Sequence, residues 1–463
     1  SILHRRIAYK MLTISLILNV LILTSAYKSY ENYKVYKAIP ESDTQLQILT
    51  DLKKSGFHLW TDVPMIGKDV RIMVSPSQEN DFVDYMKSVG LDISVAITNV
   101  QSLINDQLKP STTQRSSLGS LTWTEYHTLD KIHAWLDELE TMYPNIVSTV
   151  TIGNGTEGKA IKGVIIDYKS GQKENPLIGM IEGGIHAREW ISPATVTGII
   201  KEFLTSDNTD VRFMAEAFVW HIFPVVNPDG YAYTFTNNRM WRKNRNTLYS
   251  TTCGTDDDLS NGIDLNRNFD FVWNTVGASS NPCDQTFAGP SAGSEPETQA
   301  ITNYVQKIKG TGNMIYYIAF HSYSQMVLIP YSHVGGADLL QVENYGDLYE
   351  IAQRSLDKLT EKYGTQYVAG TSLDILYAVT GSSFDWAKGV AKIPIVYLFE
   401  LRDVGDYGFL LPPNQIIPNN EEIMACLIEM DKTTRNLGYY YSGAANVAAS
   451  AIVIFTFVLA FVY

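Results

Sequence analysis

The stretch EGGIHAREWISP, residues Glu182–Pro193, places a histidine and a glutamate three residues apart, directly after two glycines. The apolar run Leu177–Ile181 precedes these glycines and predicts a short buried strand. His186 and Glu189 then lie in the turn after the strand, where α/β proteins commonly place their chemistry. This spacing indicates a metal site, although a polar turn alone would also account for it.

The second half of the stretch predicts the start of a helix. Ser192 is a favoured N-cap residue, and Pro193 suits the first helical position because proline has no backbone N–H to satisfy. The apolar residues that follow have the spacing of one buried helical face: Val196, Ile199, Ile200 and Phe203. The stretch therefore predicts a strand, a turn and a helix in sequence.

Two further apolar runs end in residues of the same chemical kind. The run Met314–Phe320 stops at His321, and the run Ile393–Phe399 stops at Glu400. Each residue alone fits a polar strand end, but three such strand ends together favour one site, because the crevice of an α/β sheet lies at its strand carboxyl ends. Two histidines and one carboxylate with an open position form a catalytic zinc set. The fourth residue, Glu400, is then available to move protons.

A cluster of basic residues stands out in an otherwise acidic chain. The cluster mixes with asparagines and aromatic residues and consists of Arg239, Arg242, Lys243, Arg245 and Arg267. A solvated surface patch is the ordinary interpretation of such a run. With Arg188 inside the turn itself, we interpret these residues as a wall that binds an anion such as a substrate carboxylate.

Length and charge limit the classes of function. The 463 residues are enough for about two to three domains. The net charge of −13 argues against nucleic acid or an anionic membrane surface as a partner.

The polar segment Leu108–Ser120 separates a small α+β region from a long region of alternating apolar runs and amphipathic helices, which is typical of an α/β sheet. A trypsin-like protease could cut this segment after Arg115.

Both termini predict export. Residues 1–26 combine a basic region, an apolar region and small residues before a cleavage site, so we expect a signal peptide, with Met11 as a candidate start and a membrane anchor as the alternative. Residues 443–463 form an uncharged tail that resembles a GPI-attachment signal, with a spanning anchor as the alternative.

Export permits disulfides. We pair Cys253 with Cys283, which lie in polar segments, and expect Cys426 to be buried and reduced.

These motifs together resemble the zinc metallocarboxypeptidases, specifically the secreted digestive procarboxypeptidases of the A/B type, closer to the A type. The resemblance covers nearly all of Tyr27–Tyr440. It rests on one ordered set of motifs: GGIHAREWISPA, NPDGY, NRMWRKNR, DLNRNFD, HSYSQ, YAVTGSSFDWA and FELRDVGDYGFLLP.

The resemblance implies a role for each matching residue. The zinc ligands would be His186, Glu189 and His321, with Glu400 as the catalytic glutamate and Arg242 as the group that stabilises the oxyanion. Asn266, Arg267 and Tyr377 match the residues that hold the substrate's terminal carboxylate. Further substrate contacts would be Arg188, Tyr323 and Phe409, and the floor of the specificity pocket would be Phe384. Cys253 and Cys283 match the family's bridge.

The resemblance also implies the architecture and the partners. We expect an inhibitory ferredoxin-like prodomain at residues 27–115, followed at residues 116–442 by a mixed eight-stranded sheet with helices on both faces. The substrates would be peptide and protein carboxyl termini, one zinc ion the cofactor, and a trypsin-like protease the activator. Location would be extracellular, with a membrane tether through the tail as a variant.

Two features leave alternatives open. Phe384 matches neither the acidic floor of the B type nor the aliphatic floor of the A type, although it favours apolar substrates because it lacks charge. Asp374 could reach the pocket if the local register differs. An enzyme that trims basic residues and a non-catalytic zinc- or peptide-binding relative are the competing interpretations.

Overall fold

The computed structural model describes residues 27–109, 117–169, 174–249, 253, 258–336, 338 and 342–441. The predicted signal peptide, the predicted cut after Arg115 and the hydrophobic tail lie outside these residues. None of the helices within the described ranges is both long enough and apolar enough to cross a membrane.

The amino-terminal unit is an antiparallel sheet with the strand order β2-β3-β1-β4. Its elements are β1 (Lys34–Ala38), α1 (Asp43–Asp51), β2 (His58–Leu59), β3 (Val70–Val74), α2 (Glu79–Ser88), β4 (Ile93–Ile97) and α3 (Val100–Leu108). The βαββαβ order with this strand arrangement is that of a ferredoxin-like sandwich, which confirms the predicted small α+β domain.

Side-chain alternation in this small sheet gives it two apolar faces. Tyr36 and Ile72 lie in one cluster with residues of α1 and α2. Val35 and Met73 point to the other face and share a cluster with Met240 and Phe409 of the larger unit. The amino-terminal unit therefore packs one face of its sheet against the rest of the chain.

The larger unit contains one eight-stranded sheet with the order β13-β12-β14-β11-β9-β10-β8-β7. Its strands are β5 (Ser117–Leu118), β6 (Leu121–Thr122), β7 (Val147–Asn154), β8 (Ala160–Ile166), β9 (Leu177–Gly183), β10 (Phe218–Phe223), β11 (Asn313–Ser322), β12 (Met326–Ile329), β13 (Val368–Thr371) and β14 (Ile395–Leu401), of which β5 and β6 form a separate hairpin. Strands β14, β11, β9 and β10 are parallel and central, whereas β7, β8 and β12 run antiparallel to a neighbour.

Helices cover both faces of this sheet. They are α4 (Leu129–Met142), α5 (Ile191–Thr205), α6 (Thr209–Ala217), α7 (Pro228–Thr236), α8 (Pro296–Lys309), α9 (Tyr345–Tyr363), α10 (Ser372–Ile375), α11 (Ser383–Gly389) and α12 (Ile416–Asn436). Ile181 of β9 packs in one cluster with residues of α4, α5, α9 and α12. Its neighbour Met180 points the other way, into a cluster with residues of α8 and α11. The predicted mixed eight-stranded sheet with helices on both faces is confirmed.

The predicted N-cap at Ser192 is wrong. Helix α5 already begins at Ile191, and no side chain caps its first turn. The Ser192 hydroxyl donates to the Phe320 carbonyl at 2.6 Å and accepts the Gly184 N–H at 2.9 Å. The serine therefore ties the turn after β9 to strand β11, which a local helix signal could not indicate. The predicted helical face is confirmed, since Val196 and its three partners are all buried.

The cysteines behave as predicted. Cys253 and Cys283 form a disulfide with a Cα–Cα distance of 5.2 Å, and Cys426 is free and buried. The disulfide pins the loop between α7 and α8. Burial raises the pKa of the Cys426 thiol above its usual range, so this thiol is an apolar core residue and unreactive.

Candidate active site

Three neighbouring parallel strands bring the site residues together. His186 and Glu189 lie in the turn after β9, His321 lies near the end of β11, and Glu400 lies near the end of β14. Strand β11 pairs with both β9 and β14, and His321 is the direct register partner of Glu400. The carboxyl edge of the sheet therefore collects all four residues in one place.

Side-chain atoms of the first three residues converge. Nδ1 of His186 lies 2.8 Å from one oxygen of Glu189, and Nδ1 of His321 lies 3.2 Å from the other. The two Nδ1 atoms are 3.1 Å apart, and the three potential ligand atoms all lie within 4.8 Å of one another. Each residue is at most 4% exposed. This donor set fits a divalent cation with imidazole and carboxylate preferences, and zinc foremost.

The surrounding charges keep the donors in the state that a metal requires. Burial alone would raise the pKa of Glu189, but His186 and His321 hold it well below its usual range, so the carboxylate is ionised. Asp264 accepts from Nε2 of His186 at 3.1 Å and is fully buried. Such a carboxylate fixes the tautomer of a ligating histidine and leaves Nδ1 free for the metal. Asp264 was missed in the sequence, although it stands two residues before Asn266.

Arg242 lies at the centre of the charged network. One of its terminal nitrogens contacts Asp264 at 2.9 Å, and the other lies 3.6 Å from Glu189. Burial lowers the pKa of Arg242, but Asp264, Asp62 and Glu189 outweigh this and raise it above its usual value, so the guanidinium is always charged. These contacts place the Arg242 guanidinium beside the residues predicted as metal ligands.

A carboxylate from the amino-terminal unit enters the site. The Asp62 side chain lies 2.8 Å from Nη2 of Arg242, 3.8 Å from nitrogens of Arg188 and Arg267, and accepts from the Tyr377 hydroxyl at 3.4 Å. Burial raises the pKa of Asp62, but the three arginines lower it to below the usual aspartate value. Two of the residues predicted to hold a substrate carboxylate, Arg267 and Tyr377, thus contact a carboxylate of the chain itself.

Asp62 lies in the loop that follows β2 of the amino-terminal unit. In the structure, β2 ends at Leu59, and the chain then leaves the sheet towards the cleft. The Trp60 ring contacts Phe409 at a centroid distance of 5.4 Å, and Phe409 also contacts Tyr323 at 5.0 Å. The Arg188 guanidinium stacks over Phe409 at 3.9 Å. Arg188, Tyr323 and Phe409, which were predicted as further substrate contacts, therefore lie together beneath Trp60.

A cavity of about 380 Å³ extends from the metal ligands into the larger unit. Apolar and hydroxyl-bearing residues line its inner part: Leu328, Ser332, Ser372, Leu376, Val379, Ser382, Phe384 and Leu398. Asp374 is not among the lining residues, because Thr371 and the Gly336 N–H bind its two carboxylate oxygens. Phe384 is 1% exposed and closes off the space towards the apolar core.

Some of the basic residues that were predicted to form an anion-binding wall do not line this cavity. The Lys243 ammonium donates to the carbonyls of Ser260, Pro282 and Asp284, so it braces the disulfide loop. Arg245 stacks on Trp241 at 4.3 Å and does not face the cavity. Arg239 does not line the cavity either, since its buried guanidinium donates to Gln107 and to the carbonyls of Arg188 and Phe409. The wall prediction is wrong for these three residues, because sequence proximity to Arg242 does not set the direction of a side chain.

Comparison with known proteins agrees with this geometry. A family profile described as "Zinc carboxypeptidase" matches residues 132–426, and a profile described as "Carboxypeptidase activation peptide" matches residues 36–107. The chain belongs to the zinc carboxypeptidase family. It is 40% identical to "Zinc carboxypeptidase A 1" of Anopheles gambiae over 89% of this chain and 92% of the relative. It is 42% identical to "Carboxypeptidase B" of Astacus astacus over 65% of this chain and 94% of the relative.

A solved structure extends the comparison to the fold. The crystal structure of carboxypeptidase A from Helicoverpa armigera matches with a TM-score of 0.75 and 27% identity, over 88% of this chain and 98% of that one. This zinc carboxypeptidase is therefore a zinc-dependent hydrolase with the carboxypeptidase fold, and its amino-terminal unit is an activation peptide. Its partners include peptide substrates and an activating protease. The activation peptide and the disulfide are typical of exported enzymes, and we assign the chain to that extracellular class.

Proposed function

We propose that this zinc carboxypeptidase removes single apolar residues from the carboxyl termini of peptides and proteins once its activation peptide has been cut away. The observation that carries the proposal is the position of Asp62. This carboxylate lies among Arg188, Arg242, Arg267 and the Tyr377 hydroxyl, beside the metal ligands and at the mouth of an apolar pocket. A terminal carboxylate of a substrate has the same chemistry as the Asp62 side chain.

Carboxylate recognition restricts the reaction to the last residue. Arg267 supplies a fixed guanidinium fork, and Asn266 and Tyr377 add neutral donors from other sides of the same space. A peptide that continues beyond this residue has no carboxylate to place among these donors. The scissile bond is thereby placed next to the metal ligands.

Proton transfer is assigned to Glu400. When bound by His186, Glu189 and His321, zinc supplies Lewis acidity towards the scissile carbonyl and towards water. Burial and the neighbouring Glu189 raise the pKa of Glu400 above its usual range, so its carboxylate is a stronger base than an exposed one. Glu400 takes a proton from the attacking water and passes it to the nitrogen of the leaving amine.

Arg242 is assigned the role of stabilising the negative charge that develops on the carbonyl oxygen. Its guanidinium is charged at all working pH values, is 3% exposed and loses its Asp62 partner when the activation peptide leaves. The Asp264 contact keeps it in place before the substrate arrives. A preorganised donor of this kind stabilises a developing oxyanion without reorganisation.

The substrate side chain would enter the cavity that ends at Phe384. In the described part of the catalytic domain, the inner pocket is lined by no carboxylate, and Asp385 behind it is occupied by the Ser332 N–H at 3.1 Å. Burial also raises the pKa of Asp385 to about 7. A lysine or arginine side chain would therefore lie unpaired there, which costs several kcal/mol.

We expect the activated enzyme to release leucine, isoleucine, valine or methionine at least tenfold faster than lysine or arginine, because the pocket is shallow and uncharged. The measurement is kcat/KM for peptides that differ only in the last residue and end in Leu, Phe, Trp, Lys or Arg. Phe384→Asp should reverse the order, whereas Phe384→Leu should keep it and improve release of Phe. Faster release of Lys or Arg than of Leu by the unchanged enzyme would overturn this assignment.

Activation is assigned to a cut after Arg115. We expect Arg115→Gln to resist trypsin at this bond and to remain inactive. We expect Asp62→Ala to raise the activity of the uncut chain by tenfold or more, because a buried partner of three arginines is removed. Lys109→Gln serves as the matched control, since Pro110 already protects that bond. Equal peptidase activity before and after cleavage would contradict the zymogen assignment.

The tail from about Gly443 is assigned to a GPI-type signal that tethers the enzyme to the outer cell surface. Phosphatidylinositol-specific phospholipase should then release the enzyme from expressing cells, and a chain ending at Tyr441 should appear in the medium without treatment. Retention after phospholipase, together with the intact tail in mass spectrometry, would instead indicate a spanning helix.

A further inference from the structure

A buried carboxyl group interrupts the apolar face of strand β9. Ile178 and Met180 of this strand point into the apolar cluster beneath the pocket, and Glu182 is the next residue on the same face. Glu182 is 1% exposed, and burial raises its pKa to about 7. Burying a carboxyl group in an apolar setting costs several kcal/mol unless it is hydrogen-bonded, so its partners indicate what it holds.

The principal partner is the first residue of helix α11. The Ser383 hydroxyl donates to Oε1 of Glu182 at 2.5 Å, and Ser383 is fully buried. The Tyr317 hydroxyl of β11 is close enough to lower the pKa of Glu182, against the larger effect of burial. Glu182 therefore fixes the start of α11 against the two central strands of the site.

The same serine fixes the amide of Asn266. The Ser383 N–H donates to Oδ1 of Asn266 at 2.9 Å. A backbone N–H can only donate, so the carbonyl end of this amide faces Ser383 and the NH₂ end is left for the cavity that Asn266 lines. The residue after Ser383 is Phe384, which closes the pocket.

We propose that Glu182, acting through Ser383, is a positioning residue that sets the Asn266 amide and the pocket floor for recognition of the substrate's terminal carboxylate. This inference rests on the proposed function, because it assumes that Asn266 binds that carboxylate. Glu182 touches neither the substrate nor the metal ligands. Its loss should weaken substrate binding, while the groups that move protons stay in place.

The test compares four variants of the activated enzyme: Glu182→Gln, Glu182→Leu, Ser383→Ala and the double variant Glu182→Leu/Ser383→Ala. Steady-state kinetics use a peptide ending in leucine, and zinc content is measured in parallel. We expect Glu182→Leu and Ser383→Ala each to raise KM about 10- to 100-fold, as for a lost hydrogen bond to a charged group, with kcat changed by less than about threefold. Glu182→Gln keeps an acceptor for Ser383 and should restore most of the affinity.

The double variant and a control separate positioning from general destabilisation. Because the two residues act as one unit, the double variant should be no worse than the more affected single variant. Glu297 of α8 is the matched control, since it is equally buried and burial also raises its pKa to about 7, but its partners are Thr156 and Asn244. Glu297→Leu should leave KM unchanged. Ser383→Ala removes only a single oxygen, so this variant still tests the positioning role if Glu182→Leu fails to fold.

Each outcome bears on one claim. Unchanged KM in Ser383→Ala, or an equal rise in Glu297→Leu, overturns the positioning role. The unchanged enzyme is also tested on the same peptide with an amidated carboxyl terminus. If it hydrolyses the acid and the amide equally well, the proposed carboxylate recognition itself is wrong. If it strongly prefers the acid and all Glu182 variants keep the same KM and preference, only the inference about Glu182 is wrong.

Discussion

Replacing Glu400 by glutamine should lower kcat by about 10²–10⁴-fold while each chain keeps one zinc ion. Glutamine preserves the size and the hydrogen-bonding reach of the side chain, but its amide cannot accept the proton of the attacking water. Glu400 lies opposite His321 in the register and is not one of the three converging donors, so metal binding should not depend on it. The measurements are kcat on a leucine-terminated peptide and metal content by mass spectrometry.

A control separates this effect from a general loss of structure. Glu361→Gln changes an exposed glutamate on α9 that pairs with Lys358, and it should leave kcat unchanged. If Glu400→Gln lost zinc together with activity, Glu400 would have to be reassigned as a metal ligand. If it kept more than about a tenth of kcat, the proton would have to move through another group.

Removing the metal should abolish activity and lower the melting temperature of the activated enzyme. Without a cation, two imidazoles and a charged carboxylate are left buried against one another, and the charge that would hold the three together is missing. Dialysis against a chelator should therefore remove one zinc ion per chain, and adding zinc back should restore both activity and stability. A metal-free protein with full activity would contradict the assignment.

Replacing Asp264 should weaken zinc binding without abolishing it. Asp264→Asn keeps the shape of the side chain but weakens its hold on Nε2 of His186, and such changes typically cost about 10- to 100-fold in metal affinity. The variant should need more zinc for half-maximal activity. His221→Asn changes a buried histidine that instead pairs with the Tyr304 hydroxyl, and it should leave the zinc requirement unchanged.

The metal ligands and Glu400 were predictable because the information was local. In β9, β11 and β14 an apolar run stops at a polar residue, and parallel strands of one sheet end at a common edge. The pairing of Cys253 with Cys283 was predictable from the polarity of their surroundings. The roles of individual cleft residues came from the ordered motifs, since composition and periodicity do not specify them.

Other features depend on contacts that are distant in the sequence. Asp62 sits in a β-like run, and nothing near it in the chain shows that it leaves the sheet to meet arginines of another domain. Ser192 has every local mark of an N-cap, but its hydroxyl binds strand β11. Lys243 and Arg245 follow Arg242 directly in the sequence, but packing turns one to the disulfide loop and the other to Trp241.

Because Asp62 belongs to the activation peptide, its inhibition of the active site depends on protein concentration only after the peptide has been cut. While the activation peptide is covalently attached, its carboxylate faces the arginines at a fixed effective concentration, whatever the dilution of the enzyme. After cleavage the same contact becomes an ordinary bimolecular equilibrium. A concentrated store of cut enzyme would therefore remain largely self-inhibited, and dilution after release would complete the activation that the protease began.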